Sequence, residues 1–394
     1  MRALTWQGTA KVSVETVEDP KIQEPTDAII KVTSTAICGS DLHLYDVLGM
    51  YIDKGDVLGH EPMGIVEEVG PEVTHIRPGD RVVIPFNISC GSCWMCSRGF
   101  FAQCETTQVR EQGKGAALFG YTKLYGQVPG GQAEYLRVPQ AHFGPIKVPD
   151  HHPDERWLFL SDVLTTSWQA AKWADILPGD TVLVTGLGPI GQMCARIARH
   201  LGAERVIAVD DVPERLEMAR RHDIEVLDAS AVKDVSAAVV DMPGGRGADS
   251  VIEAVGMEAH GSPFQSAAIK AAGKLPDPLA RRATETLGVD RMAALRTAFG
   301  SVRRAGTISI IGVYGGQADP MPMMDLFDKG VTMRMGQAHV KRWAGDILPL
   351  LTGDSDPLGV DDLVTHRLPL EEAPHAYEMF KKKEDGCIKV VLKP

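Results

Sequence analysis

Two textures of apolar and polar positions divide the chain. Up to about residue 150, short apolar runs such as Ala28–Thr33, Gly64–Val69 and Arg81–Ile84 are separated by turns rich in Gly, Pro and Asp, Pro78-Gly79-Asp80 among them. Short strands with frequent turns predict a barrel-like β domain. From about residue 165, strands expected at 181–185, 205–209, 249–254 and 307–312 alternate with helical patterns at 190–201 and 213–222. That alternation predicts a parallel sheet with helices on both faces. Beyond residue 315, strand-like pieces at 331–335 and 387–392 and a helix at 371–383 are expected to return to the first domain. The expected domains are therefore 1–163, 164–314 and 315–394, the last completing the first. One connection is out of proportion. Between the strand Ser250–Ala254 and an expected helix Leu295–Arg304, the stretch 257–297 far exceeds the few residues usual for such links. It carries Pro276, Pro278 and a helix-like Leu279–Thr286, and reads equally as a surface elaboration, a subunit contact or a cover over a bound cofactor.

Composition narrows the partners. With 394 residues the chain is long enough for two cores, and 44% hydrophobic with 24% charged residues is ordinary for a globular protein. A net charge of −11 argues against a general binder of nucleic acid or anionic membranes. No apolar run reaches the ~18 residues needed to span a bilayer. The opening Met-Arg-Ala-Leu-Thr-Trp reads as a strand and lacks the apolar core of a signal peptide. Seven cysteines, four of them between 90 and 104, suggest a reducing cytoplasm and a metal rather than disulfides.

The run Thr181–Thr185 is followed at once by Gly186, Gly188 and Gly191 in the spacing G-x-G-x-x-G, then by a helical pattern and a second strand ending in Asp210. Gly186 allows a tight turn, Gly188 admits a pyrophosphate close to the backbone, and Gly191 lets helix and strand pack closely. The pyrophosphate would rest on the free N–H groups at the helix start, beside Pro189 and Ile190. Asp210 would accept hydrogen bonds from a ribose hydroxyl, with Arg215 either pairing with it or reaching the adenosine ribose. By itself the glycine spacing is only a flexible turn; strand before, helix after and acid beyond make it a dinucleotide site.

Cys90, Cys93, Cys96 and Cys104 place four thiols within fifteen residues. Short C-x-x-C steps let one loop wrap a zinc ion tetrahedrally, and four sulfurs leave no position for substrate, so the role would be structural. Redox thiols or an iron–sulfur cluster are the alternatives. A second set is scattered: Cys38 in Ile37-Cys-Gly-Ser-Asp-Leu-His43, His60 beside Glu61, and Asp162 in Leu160-Ser-Asp-Val. Singly, these are a small buried thiol, a core histidine and a helix N-cap. Together, a thiolate, an imidazole and a carboxylate would balance a zinc ion and leave a fourth position open.

Cys38-Gly-Ser-Asp, Gly59-His-Glu, Pro78-Gly-Asp-Arg-Val, the four-cysteine loop and Gly-Leu-Gly-Pro-Ile-Gly together resemble the zinc-containing medium-chain dehydrogenases/reductases, the alcohol dehydrogenase superfamily, over essentially the whole chain. Pro85-Phe-Asn87, Gly130-Gly-Gln-Ala-Glu-Tyr135 and Leu160-Ser-Asp162 resemble its formaldehyde dehydrogenase-like branch. The resemblance implies an α/β fold, with a GroES-like β-barrel catalytic domain and an inserted Rossmann domain whose parallel sheet is doubly wound. It implies two zinc ions per chain and NAD: Cys38, His60 and Asp162 on the catalytic ion, with Glu61 close by as the fallback ligand, and the four cysteines on the structural one. It further implies that Ser40 takes the alcohol proton, that His43 passes it outward, and that Gly312 and Val313 lie along the dinucleotide. The expected reaction is hydride transfer between a small alcohol or aldehyde and NAD. A polyol or amino-alcohol substrate is the alternative, and a non-catalytic zinc- and nucleotide-binding protein the third reading. The superfamily also implies a cytoplasmic homo-oligomer, dimer or tetramer, without nucleic-acid or membrane partners.

Overall fold

The computed structural model describes residues 1–242, 245–256, 292–314 and 321–394. It divides into two compact units: Met1–Thr166 with Ala338–Pro394, and Ser167–Gln337 between them in sequence.

In the first unit, a seven-stranded sheet runs in the order His366–Pro369, Val390–Lys393, Ala28–Ile37, Glu61–Val69, Arg81–Val83 and Ile146–Lys147, with Tyr135–Val138 also on Ala28–Ile37. Its pairs are antiparallel except His366–Pro369 with Val390–Lys393, which the helix Ala373–Lys382 connects. Arg2–Gly8 and Lys11–Thr16 form a separate hairpin. The apolar residues of these strands fill two buried clusters. One gathers Leu4, Ile37, Leu44, Tyr377 and Phe380, the other Ile30, Val66, Val82, Ile84 and Phe119.

The second unit is a six-stranded parallel sheet ordered Glu225–Asp228, Arg205–Asp210, Thr181–Thr185, Ala248–Glu253, Val302–Ile310 and Thr332–Met335. Numbered along the chain these are strands 3-2-1-4-5-6, the doubly wound order in which ligands bind beyond the strands' carboxyl ends. The α/β architecture expected from the two textures is therefore present.

Two expectations require correction. The strand foreseen at 331–335 forms, but it joins the parallel sheet beside Val302–Ile310 instead of returning to the first unit. The second segment of that unit accordingly begins at Ala338 rather than 315. Composition alone does not choose between sheets; the partner strand does. The helix foreseen as Leu295–Arg304 is Ala293–Ser301, and a strand starts directly at Val302. The irregular start of that strand, where Ala305 takes φ +52° and the register with Ala248–Glu253 shifts, disguises it in the sequence. Most of the long stretch 257–297 lies outside the described residues.

Candidate metal and dinucleotide sites

The scattered ligand set is assembled by strand register. Ala36 at the end of Ala28–Ile37 pairs with Glu61 at the start of Glu61–Val69, so Cys38 and His60, just beyond those positions, meet at one end of the sheet. Asp162 arrives from 124 residues away, immediately before the helix Val163–Trp173. One donor atom from each of Cys38, His60, Glu61 and Asp162 lies within 4.8 Å of the others, and all four residues are buried. Cys38 Sγ is 3.6 Å from Asp162 Oδ2, which is 3.4 Å from His60 Nε2. Ser40 Oγ is 3.3 Å from the same His60 nitrogen, and His43 follows three residues on along the helix Gly39–Asp46.

These residues are supported from behind. Asp41 Oδ2 accepts from the backbone N–H of Cys38 (2.9 Å), while its Oδ1 faces His60 Nδ1 at 3.0 Å. Thr166 donates its hydroxyl to Asp162 Oδ1, and the Asp162 carbonyl accepts from Thr166 N (2.8 Å), so Asp162 serves the helix start as well as the cluster. Lys389, wholly buried, donates to Ile37 O (3.0 Å) and to Glu61 Oε1 (2.7 Å).

The electrostatics favour a cation. Burial, then the carboxylates of Asp162 and Glu61, pushes the Cys38 thiol up to about 11. Burial opposes a charged His60, yet Asp41, Asp162 and Cys38 together raise it well above the usual imidazole value. Burial also opposes a charged Asp162, but the hydrogen bond and charge of His60 and the Thr166 hydroxyl hold its carboxyl below the ordinary range. Glu61 is pushed up by burial against the pull of Lys389, and its Oε2 has no hydrogen-bond partner among the described residues. A thiol, an imidazole and two carboxylates converging on one buried point, with an unmet acceptor among them, fit a divalent zinc ion.

The cysteine loop converges separately. Sγ atoms of Cys90, Cys93, Cys96 and Cys104 all lie within 4.8 Å of one another, and Cys93 Sγ is 3.9 Å from Cys104 Sγ. That separation is far beyond a disulfide, and it matches the ~3.8 Å edge of a tetrahedron with metal–sulfur bonds of ~2.3 Å. Backbone N–H groups of Cys93, Cys96 and Glu105 point at the sulfurs at 3.3–3.4 Å, and Thr106 Oγ1 donates to Cys90 Sγ at 3.1 Å. Burial resists a thiolate at Cys90, but the Thr106 hydroxyl and the N–H groups around it bring the thiol down to about 6. Gly91, at φ +76°, turns the loop where a side chain would collide with Phe143.

In the second unit, Gly186 follows the strand Thr181–Thr185 at φ +83°, and Gly188 precedes the helix Pro189–His200, whose start has no side-chain cap. A Cβ on Gly191 would strike the Gly186 carbonyl, whereas one on Gly188 would meet nothing within 4 Å. An open glycine at an uncapped helix start is a cradle for a phosphate group. Asp210 ends the neighbouring strand. Its Oδ2 accepts from Leu187 N (2.6 Å), its Oδ1 from Asp211 N (2.8 Å) and Val212 N (3.0 Å), and Arg215 Nη1 stands 3.6 Å away. Of the two roles open to Arg215, pairing with Asp210 is therefore realised. Gly312 follows Val302–Ile310 at the same edge of the sheet, its N–H donating to Glu253 O (3.0 Å), and Val313 beside it is exposed. The Ile190 carbonyl accepts from Ser167 Oγ at 2.9 Å.

Sequence reasoning missed three members of the first cluster's surroundings. Asp41 enters only as part of the motif Cys38-Gly-Ser-Asp, Gln132 only as part of Gly130-Gly-Gln-Ala-Glu-Tyr135, and Lys389, in the run Cys387-Ile-Lys-Val-Val-Leu392, not at all. The signal available was Lys389, since a lysine inside a buried strand needs an acidic partner.

The family profile described as "Alcohol dehydrogenase GroES-like domain" matches residues 24–150, and that described as "Zinc-binding dehydrogenase" matches 189–276. The chain is 44% identical to a zinc-type alcohol dehydrogenase-like protein, AdhB, of Bacillus subtilis, covering 100% of both chains. It is 35% identical to the glutathione-independent formaldehyde dehydrogenase of Pseudomonas aeruginosa, over 96% of this chain and 94% of that one. It is 32% identical to the formaldehyde dismutase of Pseudomonas putida, over 97% and 95% respectively. Among solved structures, the alcohol dehydrogenase TADH from Thermus sp. ATN1 aligns with a TM-score of 0.82 at 34% identity, covering 100% of this chain and 99% of that one.

Proposed function

Since the chain belongs to the zinc-type alcohol dehydrogenase family, we propose that it transfers hydride between a small alcohol or aldehyde and NAD, with two zinc ions per chain. The observation that carries this reading is the buried convergence of Cys38, His60 and Asp162 beside the Ser40 hydroxyl. Those three would hold the catalytic ion, with Glu61 retained by Lys389 as a fourth, displaceable carboxylate. Cys90, Cys93, Cys96 and Cys104 would hold a closed structural ion. Bound zinc supplies Lewis acidity, which lowers the pKa of an alcohol hydroxyl and polarises a carbonyl.

The chain's own residues do the rest. Ser40 Oγ takes the hydroxyl proton of an alcohol, and His43 relays it outward. In aldehyde reduction the proton returns by the same path. Asp41 stands against His60 Nδ1, so His60 would be oriented to hold the ion through its other nitrogen. Gly186, Gly188 and Gly191, with Pro189 and Ile190, receive the dinucleotide's pyrophosphate. Asp210 fixes negative charge beside the adenosine ribose, and Arg215, Gly312 and Val313 complete the binding edge. NAD carries the hydride chemistry.

Two relatives named for formaldehyde, at 35% and 32% identity, support an aldehyde-level substrate over a polyol or amino alcohol. A nicotinamide absorbance screen of the purified protein with simple alcohols, aldehydes and polyols tests the proposal. Substrate-dependent NADH with a small alcohol or formaldehyde supports it. Turnover confined to polyols or amino alcohols moves the substrate class, and no turnover with any of them overturns the assignment.

A further inference from the structure

The proposed ligand His60 stands at one end of a buried line of polar side chains that leads away from the metal. His60 Nδ1 is 3.0 Å from Asp41 Oδ1. Asp41 Oδ2 accepts from Gln132 Nε2 at 3.4 Å, and Gln132 Oε1 accepts from the Tyr377 hydroxyl at 2.8 Å. Asp41, Gln132 and Tyr377 are each wholly buried, and His60 nearly so. Tyr377 belongs to the helix Ala373–Lys382, packed in the core with Tyr45, their ring centroids 5.5 Å apart. A polar path therefore joins the last helix of the chain to the metal cluster: hydrogen bonds link Tyr377, Gln132 and Asp41, and the Asp41 carboxylate meets the His60 ring as an ion-pair contact.

The chemistry of the neighbours fixes the direction of each Gln132 bond. Gln132 Nε2 lies between the Ala36 carbonyl (3.2 Å) and the Asp41 carboxylate, neither of which can donate. The amide nitrogen must face them, so its oxygen must face Tyr377, and the phenol must donate. A flipped amide would set its oxygen against two acceptors and its NH2 group against the phenol. Ala36 and Asp41 thus set which way the Gln132 amide faces, and the Tyr377 hydroxyl holds its oxygen end in place.

Gln132 is itself held against the ligand strand. Its backbone N–H donates to Leu58 O (3.0 Å), and that of Gly131 donates to Gly59 O (2.8 Å). Gly59, at φ +98°, has no room for a Cβ because the Gln132 side chain lies there. The residue before His60 is a glycine for the same reason that Gln132 can reach Asp41.

We propose that Tyr377 and Gln132 are positioning residues that set the orientation of His60, through Asp41, for metal binding. This rests on the reading that Cys38, His60 and Asp162 hold a zinc ion. Asp41 has two contacts to keep, the Cys38 backbone and the His60 ring, and the Gln132 amide holds it in the orientation that makes both. Outer partners of metal ligands change affinity by about 10–100-fold when removed. Gln132 acts one step beyond that direct partner, Asp41, and Tyr377 two, so the expected loss is at the low end of this range for Gln132 and below it for Tyr377.

The test uses the full-length holoenzyme and the variants Tyr377→Phe, Gln132→Met and the double variant. Zinc affinity at the catalytic site is measured by chelator competition, and the thiolate-to-metal absorption of Cys38 is recorded after cobalt replaces that zinc. Thermal melting of the chelated protein reports fold stability separately. Tyr377→Phe should weaken zinc binding about 3–10-fold and shift the cobalt spectrum. Gln132→Met should weaken it about 10-fold or more, and the double variant no further than Gln132→Met alone. Parental affinity and an unchanged cobalt spectrum in Tyr377→Phe overturn the proposal. So does a double variant whose losses multiply, because Tyr377 would then not act through Gln132. Should Tyr377→Phe not fold, Gln132→Met alone decides: parental affinity and spectrum overturn the proposal. If the parent chain itself holds no zinc that is lost on changing Cys38, the metal reading fails instead.

Discussion

Ser40 and Asp210 show what single side chains contribute and how differently each announces itself. Ser40 Oγ is 3.3 Å from His60 Nε2, and in the proposed reaction it takes the proton of a bound alcohol. Replacing it by alanine should lower the alcohol oxidation rate about 100-fold while leaving zinc content unchanged, the size of a lost proton-transfer group. Steady-state rates and metal analysis on the same sample check this; an unchanged rate, with hydride transfer limiting, removes Ser40 from the mechanism. Asp210 makes its argument through charge. Its carboxylate is occupied by three backbone N–H groups, and Arg215 stands 3.6 Å away. A 2′-phosphate would meet that negative charge with the Arg215 guanidinium already paired to it. NAD should therefore be preferred over NADP by at least about tenfold in kcat/KM, and Asp210→Ala should shrink the ratio. Equal efficiencies would refute the argument. At this scale the sequence named Cys38 and His60 as candidate ligands only in combination and Ser40 through the family resemblance, while the glycine turn stood out by its spacing. Asp162 was legible only through the family pattern, since nothing local distinguishes a ligand from a helix start. Gln132 and Tyr377 were not legible, because 245 residues separate them and only the packing of the last helix brings them together.

Elements carry the next level. Among the described residues the cysteine loop has a small apolar core beneath it, Ala116 and Phe101 with the cysteines themselves, and Phe143 packed on Phe101. Its conformation therefore depends on what the four sulfurs hold. Cys93→Ser should lower unfolding stability by about 4 kcal/mol, the scale of losing a structural metal. A melting curve indistinguishable from the parent's would deny the loop a structural ion. The segment bearing Asp162 is held differently. Asp154, at the start of the helix Asp154–Leu158, accepts from the Arg81 guanidinium and from Ser34 Oγ, tying that helix to two strands of the sheet. Burial works against its charge, but the Ser34 hydroxyl and the Arg81 guanidinium outweigh it and hold the carboxyl below the usual range. A folded-state pKa below the unfolded one means stability that is present above the unfolded carboxylate range and lost as pH falls through the folded value. Asp154→Asn should thus cost roughly 1–3 kcal/mol at neutral pH and progressively less in acid. Urea titrations at pH 7 and at the lower end of the carboxylate range measure the difference, and a pH-independent loss would contradict the ion-pair account. Spacing made the cysteine loop readable. The edge strand Thr332–Met335 was recognised as a strand but not assigned to its sheet, because its four exposed residues carry no pattern that names a neighbour.

At the scale of the whole molecule, the order of textures along the chain was enough to foresee a β-rich unit and a doubly wound sheet. The boundary at Ala338 was not foreseeable, because it depends on pairing between strands rather than on composition. The central claim is that one chain holds two zinc ions with separate duties, one near Asp162 for chemistry and one in the cysteine loop for the fold. Zinc content per chain, measured with NADH formation on the parent, Asp162→Ala and Cys93→Ser, tests it most directly. The account predicts two zinc ions and turnover in the parent. Asp162→Ala should lose activity about 100-fold or more with only a small fall in melting temperature, from the lost Thr166 hydrogen bond, and Cys93→Ser should lose an ion with a larger fall. A parent holding a single zinc, lost only when Cys38 or His60 is changed, would contradict it.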